Sequence, residues 1–242
     1  IKAILSFIFT ILAMWKLLIP LFLMGYNPIL IGMVTTIILV CLIIGLVYGI
    51  DRRSLAGIIG ALAGSIVTCF MALFFVSRFK IHGAVMSYSE MLLYSGYENL
   101  NLTEIFIASI FIASSGAVMD VAVDITSAVA EVVEKKPDIT RAEAIKSGIN
   151  VGRSIMGTMM TTLLLAYSGG YIGLLMVFMA QGTPIINILN LKYVSSEILH
   201  TLVGSFGLIT VAPFTAIASG ILLAERNVQW DWKNKMVKTK NK

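Results

Sequence analysis

Charge is what this sequence has least of. Only 13% of its 242 residues are Asp, Glu, Lys or Arg, against about a quarter in a soluble domain. A water-soluble globule of this length would have too few polar side chains to cover its surface. Cysteine is scarce as well: Cys41 and Cys69 are the whole complement, each inside an apolar run, which excludes a disulfide scaffold. No Cys/His cluster is present to hold a metal. Also missing are Gly-x-Ser-x-Gly, His-Glu-x-x-His and a phosphate-cradling glycine loop. The expectation is a protein with no metal, no other cofactor and no enzymatic activity of its own.

What is present is apolar. Hydrophobic residues make up 58% of the chain and the mean hydropathy is +0.91, which excludes disorder and leaves a polytopic membrane protein. A spanning helix takes about 20 residues, so the chain has room for about six or seven spans with short connections. The net charge of +5 comes from 18 Lys and Arg against 13 Asp and Glu. Arg52 and Arg53 sit between two apolar runs, Lys135, Lys136, Arg141 and Lys146 between two others, and Lys233, Lys235, Lys238, Lys240 and Lys242 near the chain end. Basic clusters that border spans mark the cytoplasmic side of a membrane rather than a groove for nucleic acid.

The apolar runs are Ile4 to Met24, Ile29 to Tyr48 and Leu55 to Val76, then a long helix from about Thr103 to Glu134, and spans from Ile149 to Tyr167 and Ile198 to Leu223. Gly25-Tyr26-Asn27-Pro28 predicts a tight turn, with Pro28 in the first turn of the following helix. Segment 78–102 mixes Tyr88, Tyr94 and Tyr97 with Met and Leu, as expected of an extracytoplasmic segment lying at the interface. Segment 134–148 reads as a short cytoplasmic amphipathic helix over Pro137 to Ser147, capped by Asp138 or Thr140. Segment 169–196 is apolar but broken at Gln181-Gly182-Thr183-Pro184. A re-entrant hairpin there keeps all basic clusters on one side, whereas a seventh span would move the tail at 225–242 across. The fold expected is therefore all-α, a single transmembrane helical bundle over 1–224. It has six spans plus a re-entrant hairpin, with seven spans as the alternative, and both termini are cytoplasmic. No secretory signal peptide is expected, because the first run lacks a cleavage site and is followed by further spans.

Small residues recur at helical spacing. Gly45 with Gly49, Gly60 with Gly64, and Gly148 with Gly152 are each four apart and suit close helix packing. Asp120 and Asp124 are the sharpest feature. They share one helical face with Gly116, Ser127 and Ala128, inside an apolar segment. A charge at that depth costs about 2.5–3.5 kcal/mol, and two carboxylates so close together do not readily hold two charges at once. Such a pair is suited to taking up and releasing a proton, or else to a salt bridge, for which Arg153 is the candidate. The next span carries Arg153, Gly157 and Thr161 on one line and Ser154 and Thr158 on another, a polar side to set against the aspartates. Threonines in helices often bond only their own backbone. Lys16 beside Trp15 is expected to snorkel. Glu197 and His200 are expected as a capping or interfacial group and a solvated histidine, and Trp230 and Trp232 as interface anchors. An aspartyl-protease reading is disfavoured, since two acids on one helix do not converge on a shared water.

Several motifs together resemble the YibE/F family of bacterial membrane proteins. They are Gly25-Tyr26-Asn27-Pro28, the run Gly116 to Ala122, the run Gly148 to Arg153 with Ile155 to Thr158, and Leu202 to Ser205. The resemblance covers essentially the whole chain and implies a bacterial inner-membrane protein. Longer E-type relatives add an N-terminal membrane helix and an extracytoplasmic domain, so this chain resembles the shorter F-type member. A homodimer, or a heterodimer with an E-type partner, is what this implies. The run from Gly116 to Asp120, the basic loop and the Ser/Thr-rich span are similar to the fourth and fifth helices of the SecD/SecF and RND superfamily. That similarity implies a half-module in which Asp120 occupies the proton-relay position. Val121 stands where many RND members carry a second acid, and only the Gly25–Pro28 turn joins the first two spans, where that superfamily places a large domain. The function expected is a subunit of a proton-coupled transporter or export system, with Asp120, Asp124, Arg153, Thr158 and Thr161 forming the relay. The alternative is a non-catalytic membrane scaffold that stabilises a partner, with an intramembrane hydrolase third.

Overall fold

The computed structural model describes the backbone of residues 2–240 and the side chains of residues 2–224. The side chains of the expected basic tail at 225–242, with Trp230 and Trp232, lie outside the described residues. All regular elements among the described residues are helical. Five helices are long and apolar enough to cross a membrane, or six if one bent pair counts as a span.

The first run is α1 (Lys2–Ala13), a π-helical turn at Met14–Leu18, and α2 (Ile19–Leu23). The wide turn precedes Pro20, whose ring would otherwise meet the carbonyl four residues back. Gly25, with φ of +79°, makes the turn into α3 (Pro28–Tyr48). The Asn27 side chain caps α3, accepting from the Leu30 N–H at 3.0 Å, and Pro28 fills the first helical position. Gly49, with φ of +89°, ends it. Asp51 then opens α4 (Arg52–Arg78), its Oδ1 accepting from the Arg52 N–H at 2.7 Å.

The interfacial segment holds a short 3-10 turn at Gly83–Val85 and α5 (Ser89–Tyr94). Tyr88 is 76% exposed and Tyr94 86% exposed, which leaves their rings free to lie in a headgroup layer. α6 (Leu102–Lys135) and α7 (Arg141–Gly170) follow. Thr140 caps α7 in a capping box with Glu143. The expected separate amphipathic helix at 134–148 is not formed. Residues 136–140 are the connector, and Ser147 lies inside a continuous α7. Ala144, Gly148 and Gly152 are all buried along one side of α7, so a single straight helix packs where a break would have interrupted the line.

α8 (Ile172–Ala180) bends 61° away from α7. The chain turns again at Gly182, φ +61°, and passes through α9 (Ile185–Asn190) into α10 (Lys192–Lys240). Helix directions follow from which residues meet. Gly148 lies against Ala216, Gly152 against Ala212, and the Tyr167 ring against His200, so α7 and α10 run antiparallel. The stretch between them therefore leaves and returns at the same end of the bundle. Gly60 against Thr215 and Gly64 against Val211 make α4 and α10 antiparallel, while Phe106 against His200, Ser114 against Gly204 and Thr126 bonded to Ser219 at 3.0 Å place α6 parallel to α10. One end of the bundle thus gathers Arg52, Arg53 and Lys135, and is called here the basic end.

α6 sits at the centre. Val118, Val121, Ala122, Ile125 and Val129 are buried and pack with Val211, Ala212 and Ala216 of α10. Outside, α10 exposes Ile198, Leu202, Phe206 and Ile209, and α4 exposes Ile59, Ile66 and Phe70, a surface suited to lipid.

Candidate functional site

Burial of Val118, Val121, Ala122 and Ile125 on the inner side of α6 fixes what the opposite side presents. That side carries Ala113, Gly116, Asp120, Asp124 and Ser127, all exposed. The aspartates are one turn apart, as their spacing requires. Asp120 is about 27 Å along the axis from Leu102 and about 22 Å from Lys135, at 1.5 Å per residue. It therefore stands near mid-membrane for a helix crossing upright.

The sequence places this acidic stripe against the polar side of the next span, and the structure differs. Ile125 and Val129 face Gly152 and Gly148. This brings Arg153 level with Asp124 but turns the guanidinium outward, where it is exposed. Among the described residues no ion pair joins Arg153 to Asp120 or Asp124. The hydroxyls of Thr158 and Thr161 donate to the carbonyls of Ile155 and Gly157, at 2.9 and 3.2 Å. The reason is geometric: the glycines take the inner line of α7, and its polar residues are left on the outer lines. α6 and α7 thus leave open faces that are small and polar, unlike the bulky exposed faces of α4 and α10. A Cβ added at Gly116 or Gly157 would meet nothing within 4 Å.

The four packing glycines lie inside the bundle. A Cβ at Gly60 would run into Thr215, and one at Gly64 would approach Val211 to 2.9 Å. At Gly148 it would lie 2.9 Å from both Ala216 and Val129, and at Gly152 2.9 Å from Ala212. The Gly45–Gly49 pair has a different use. Gly45 meets no neighbour within 4 Å, and Gly49 serves the helix end with its positive φ.

A cavity of about 320 Å³ opens at the basic end of the acidic face, lined by Tyr48, Asp51, Arg53, Thr126 and Ser127 among others. Ser127 is one turn from Asp124 on the same stripe. An exposed ion pair, Arg53 to Glu134 at 3.2 Å, ties α4 to α6 there.

One cluster was missed by reading the sequence. His200 is not a solvated histidine: its side chain is 12% exposed, and its Nδ1 lies 3.6 Å from Oε2 of Glu197, itself 28% exposed. Their three-residue spacing on α10 was the available signal. Lys16 and Trp15 lie in the π turn, with Trp15 68% exposed. Among the described residues no three His, Cys, Asp or Glu come together as a metal set would.

The runs Gly116–Ala122 and Gly148–Thr158 thus lie on the two helices that carry the acids and the arginine. No curated protein and no solved structure matches the chain. The family model of YibE/F-like proteins matches residues 1–225. With nearly the whole sequence inside that match, this helical membrane protein belongs to the YibE/F family.

Proposed function

We propose that the protein is a non-enzymatic subunit of a proton-coupled membrane transporter or export system, with Asp120 as the proton carrier. One observation carries this reading: a carboxylate stands exposed midway along α6, and no cation among the described residues meets it. A charge in that position is costly in lipid. It is retained at lower cost if it is neutralised by a proton that comes and goes, or if another subunit covers it. Asp124 shares the proton, the Ser127 cavity feeds it from the basic end, and Thr158 and Thr161 flank the path on α7. Arg153 supplies a positive charge that adjusts how firmly the acids hold the proton.

In this reading six helices cross the bacterial inner membrane, both termini lie at the cytoplasmic, basic end, and segment 171–191 is re-entrant. The bundle is a half-module of the SecD/SecF and RND kind. A second copy, or a longer E-type relative carrying an extracytoplasmic domain, covers the α6–α7 face and completes the relay. The test is proton flux into proteoliposomes under an imposed gradient. Asp120→Asn is expected to abolish flux while leaving expression and oligomeric state intact. If Asp120→Asn keeps full flux and Asp120→Ala fails to assemble, the acid is architectural.

The open, small-residue faces at Gly116 and Gly157 favour a second reading, a membrane scaffold that stabilises a partner. It requires that leucine at those positions disrupts partner recovery and that Asp120→Asn does not.

A further inference from the structure

At the end of the bundle opposite the basic clusters, the bend between α7 and α8 roofs a cavity of about 210 Å³. Its walls come from four helices. α7 gives Tyr167, the link at the bend gives Tyr171, α8 gives Leu174 and Phe178, α9 gives Ile188, and α10 gives Tyr193, Val194 and Glu197. Phe178 is buried and stacks on Tyr193, with ring centroids 6.4 Å apart. The cavity is therefore aromatic and apolar on most sides, with its charge in one place.

That place is Glu197. His200 lies 3.6 Å from its carboxylate, and Tyr171 lines the same cavity. The imidazole is held from behind by the rings of Phe106 and Tyr167, at centroid distances of 6.2 and 5.2 Å. Some hydrogen-bonding capacity is unused. The Tyr167 hydroxyl and His200 Nε2 are both buried with no hydrogen-bond partner. No lysine or arginine lines the cavity. A concave, mostly apolar pocket with a few convergent polar groups is the usual form of a small-molecule site. A carboxylate at one end with aromatic faces around it selects for positive charge.

We propose that this cavity binds a small lipophilic organic cation, its ammonium group on Glu197 and its apolar body between Tyr171, Phe178 and Tyr193. Its volume exceeds the roughly 150 Å³ of an apolar cavity that holds benzene. The fitting ligand is thus one ring with a short amine arm. The site lies at the far end from the basic-end cavity and does not depend on Asp120, so either proposal can fail alone.

The test uses the full chain in phosphatidylglycerol nanodiscs and calorimetric titration with phenethylamine, subtracting empty nanodiscs. Phenethylamine is expected to bind, and 3-phenylpropionate, of like shape and opposite charge, is not. Glu197→Gln conserves volume and the place beside His200, and should weaken binding by about tenfold or more, as expected for losing a desolvated charge partner. Val194→Phe fills the cavity and should abolish binding with Glu197 in place. If Glu197→Gln does not assemble, Val194→Phe alone decides. The proposal is overturned if phenethylamine binds no more than to empty discs, if phenylpropionate binds equally, or if Val194→Phe leaves binding unchanged. A free amine and a phosphatidylethanolamine headgroup share this chemistry. Loss of phenethylamine binding when phosphatidylethanolamine is added identifies the lipid as the occupant, and unchanged binding identifies the free amine.

Discussion

Asp120 and Asp124 stand on the outer face of α6 with no cation among the described residues to meet them, whereas Glu197 lies 3.6 Å from His200 beneath the α7–α8 bend. The first pair is exposed to whatever surrounds the bundle, and the second lies half-buried in a cavity whose walls the chain itself supplies. Both place carboxylates in an apolar protein, so both need something to offset the charge. The chain provides that something internally at one site and leaves it to another molecule, or to a proton, at the other. A carboxylate left unpaired on an open face is adapted to exchange, and one set in a cavity beside a histidine and aromatic rings is adapted to hold.

The contrast can be erased by breaking the frame that both sites share. Gly60→Leu drives a side chain into Thr215 and separates α4 from α10, and should remove folded protein from a size-exclusion profile altogether. Gly116→Leu, into open space, should leave the chain folded but weaken any oligomer that covers the acidic face; unchanged assembly would mean that lipid covers it. Next in size, Asp120→Asn should cut proton flux by about 100-fold or more, the usual weight of a positioned proton-transfer group. Glu197→Gln should leave flux within about twofold in the same assay, well under the effect of a proton-transfer group. Equal loss in both variants would merge the two sites into one path.

Stability should separate them in the opposite sense. His200→Leu strips the half-buried Glu197 carboxylate of its partner and should lower stability by about 1–3 kcal/mol, read as a fall in melting temperature. Asp124→Asn removes an unpaired charge and should leave the melting temperature unchanged or raise it. The smallest effect is expected at the basic end. Arg53→Ala breaks an ion pair whose side chains are 52% and 68% exposed, which is worth about 1 kcal/mol or less.

Local features of the fold were legible from the sequence where a short motif has one physical meaning. Asn27-Pro28 opens α3, and Thr140 with Glu143 closes a capping box, each as the residue types dictate. The break at Gln181–Pro184 is also where the chain turns. Less legible was anything that depends on which face of a helix wins the interior. Asp120 and Asp124 share a stripe with Gly116, and small residues alone do not say whether a neighbour fills the space beside them. The packing of Val118 on Gly64, Ile125 on Gly152 and Val129 on Gly148 turns that stripe outward. Ser147 and Gly148 read as the end of an amphipathic helix, yet Ala144, Gly148 and Gly152 line up on α10 and carry α7 straight through. The Glu197 site was hidden for a related reason, since its aromatic walls come from Tyr167 and Tyr171, far back in the chain.

The antiparallel pairing of α7 with α10 has a practical corollary. Because residues 171–191 depart from and rejoin the bundle at one end, that excursion is topologically insulated from the rest of the chain. A reporter spliced into the exposed turn at Gly182 would leave the orientation of every later residue untouched, so the cap can be lengthened, exchanged or tagged as a module while the helices beneath it keep their sidedness.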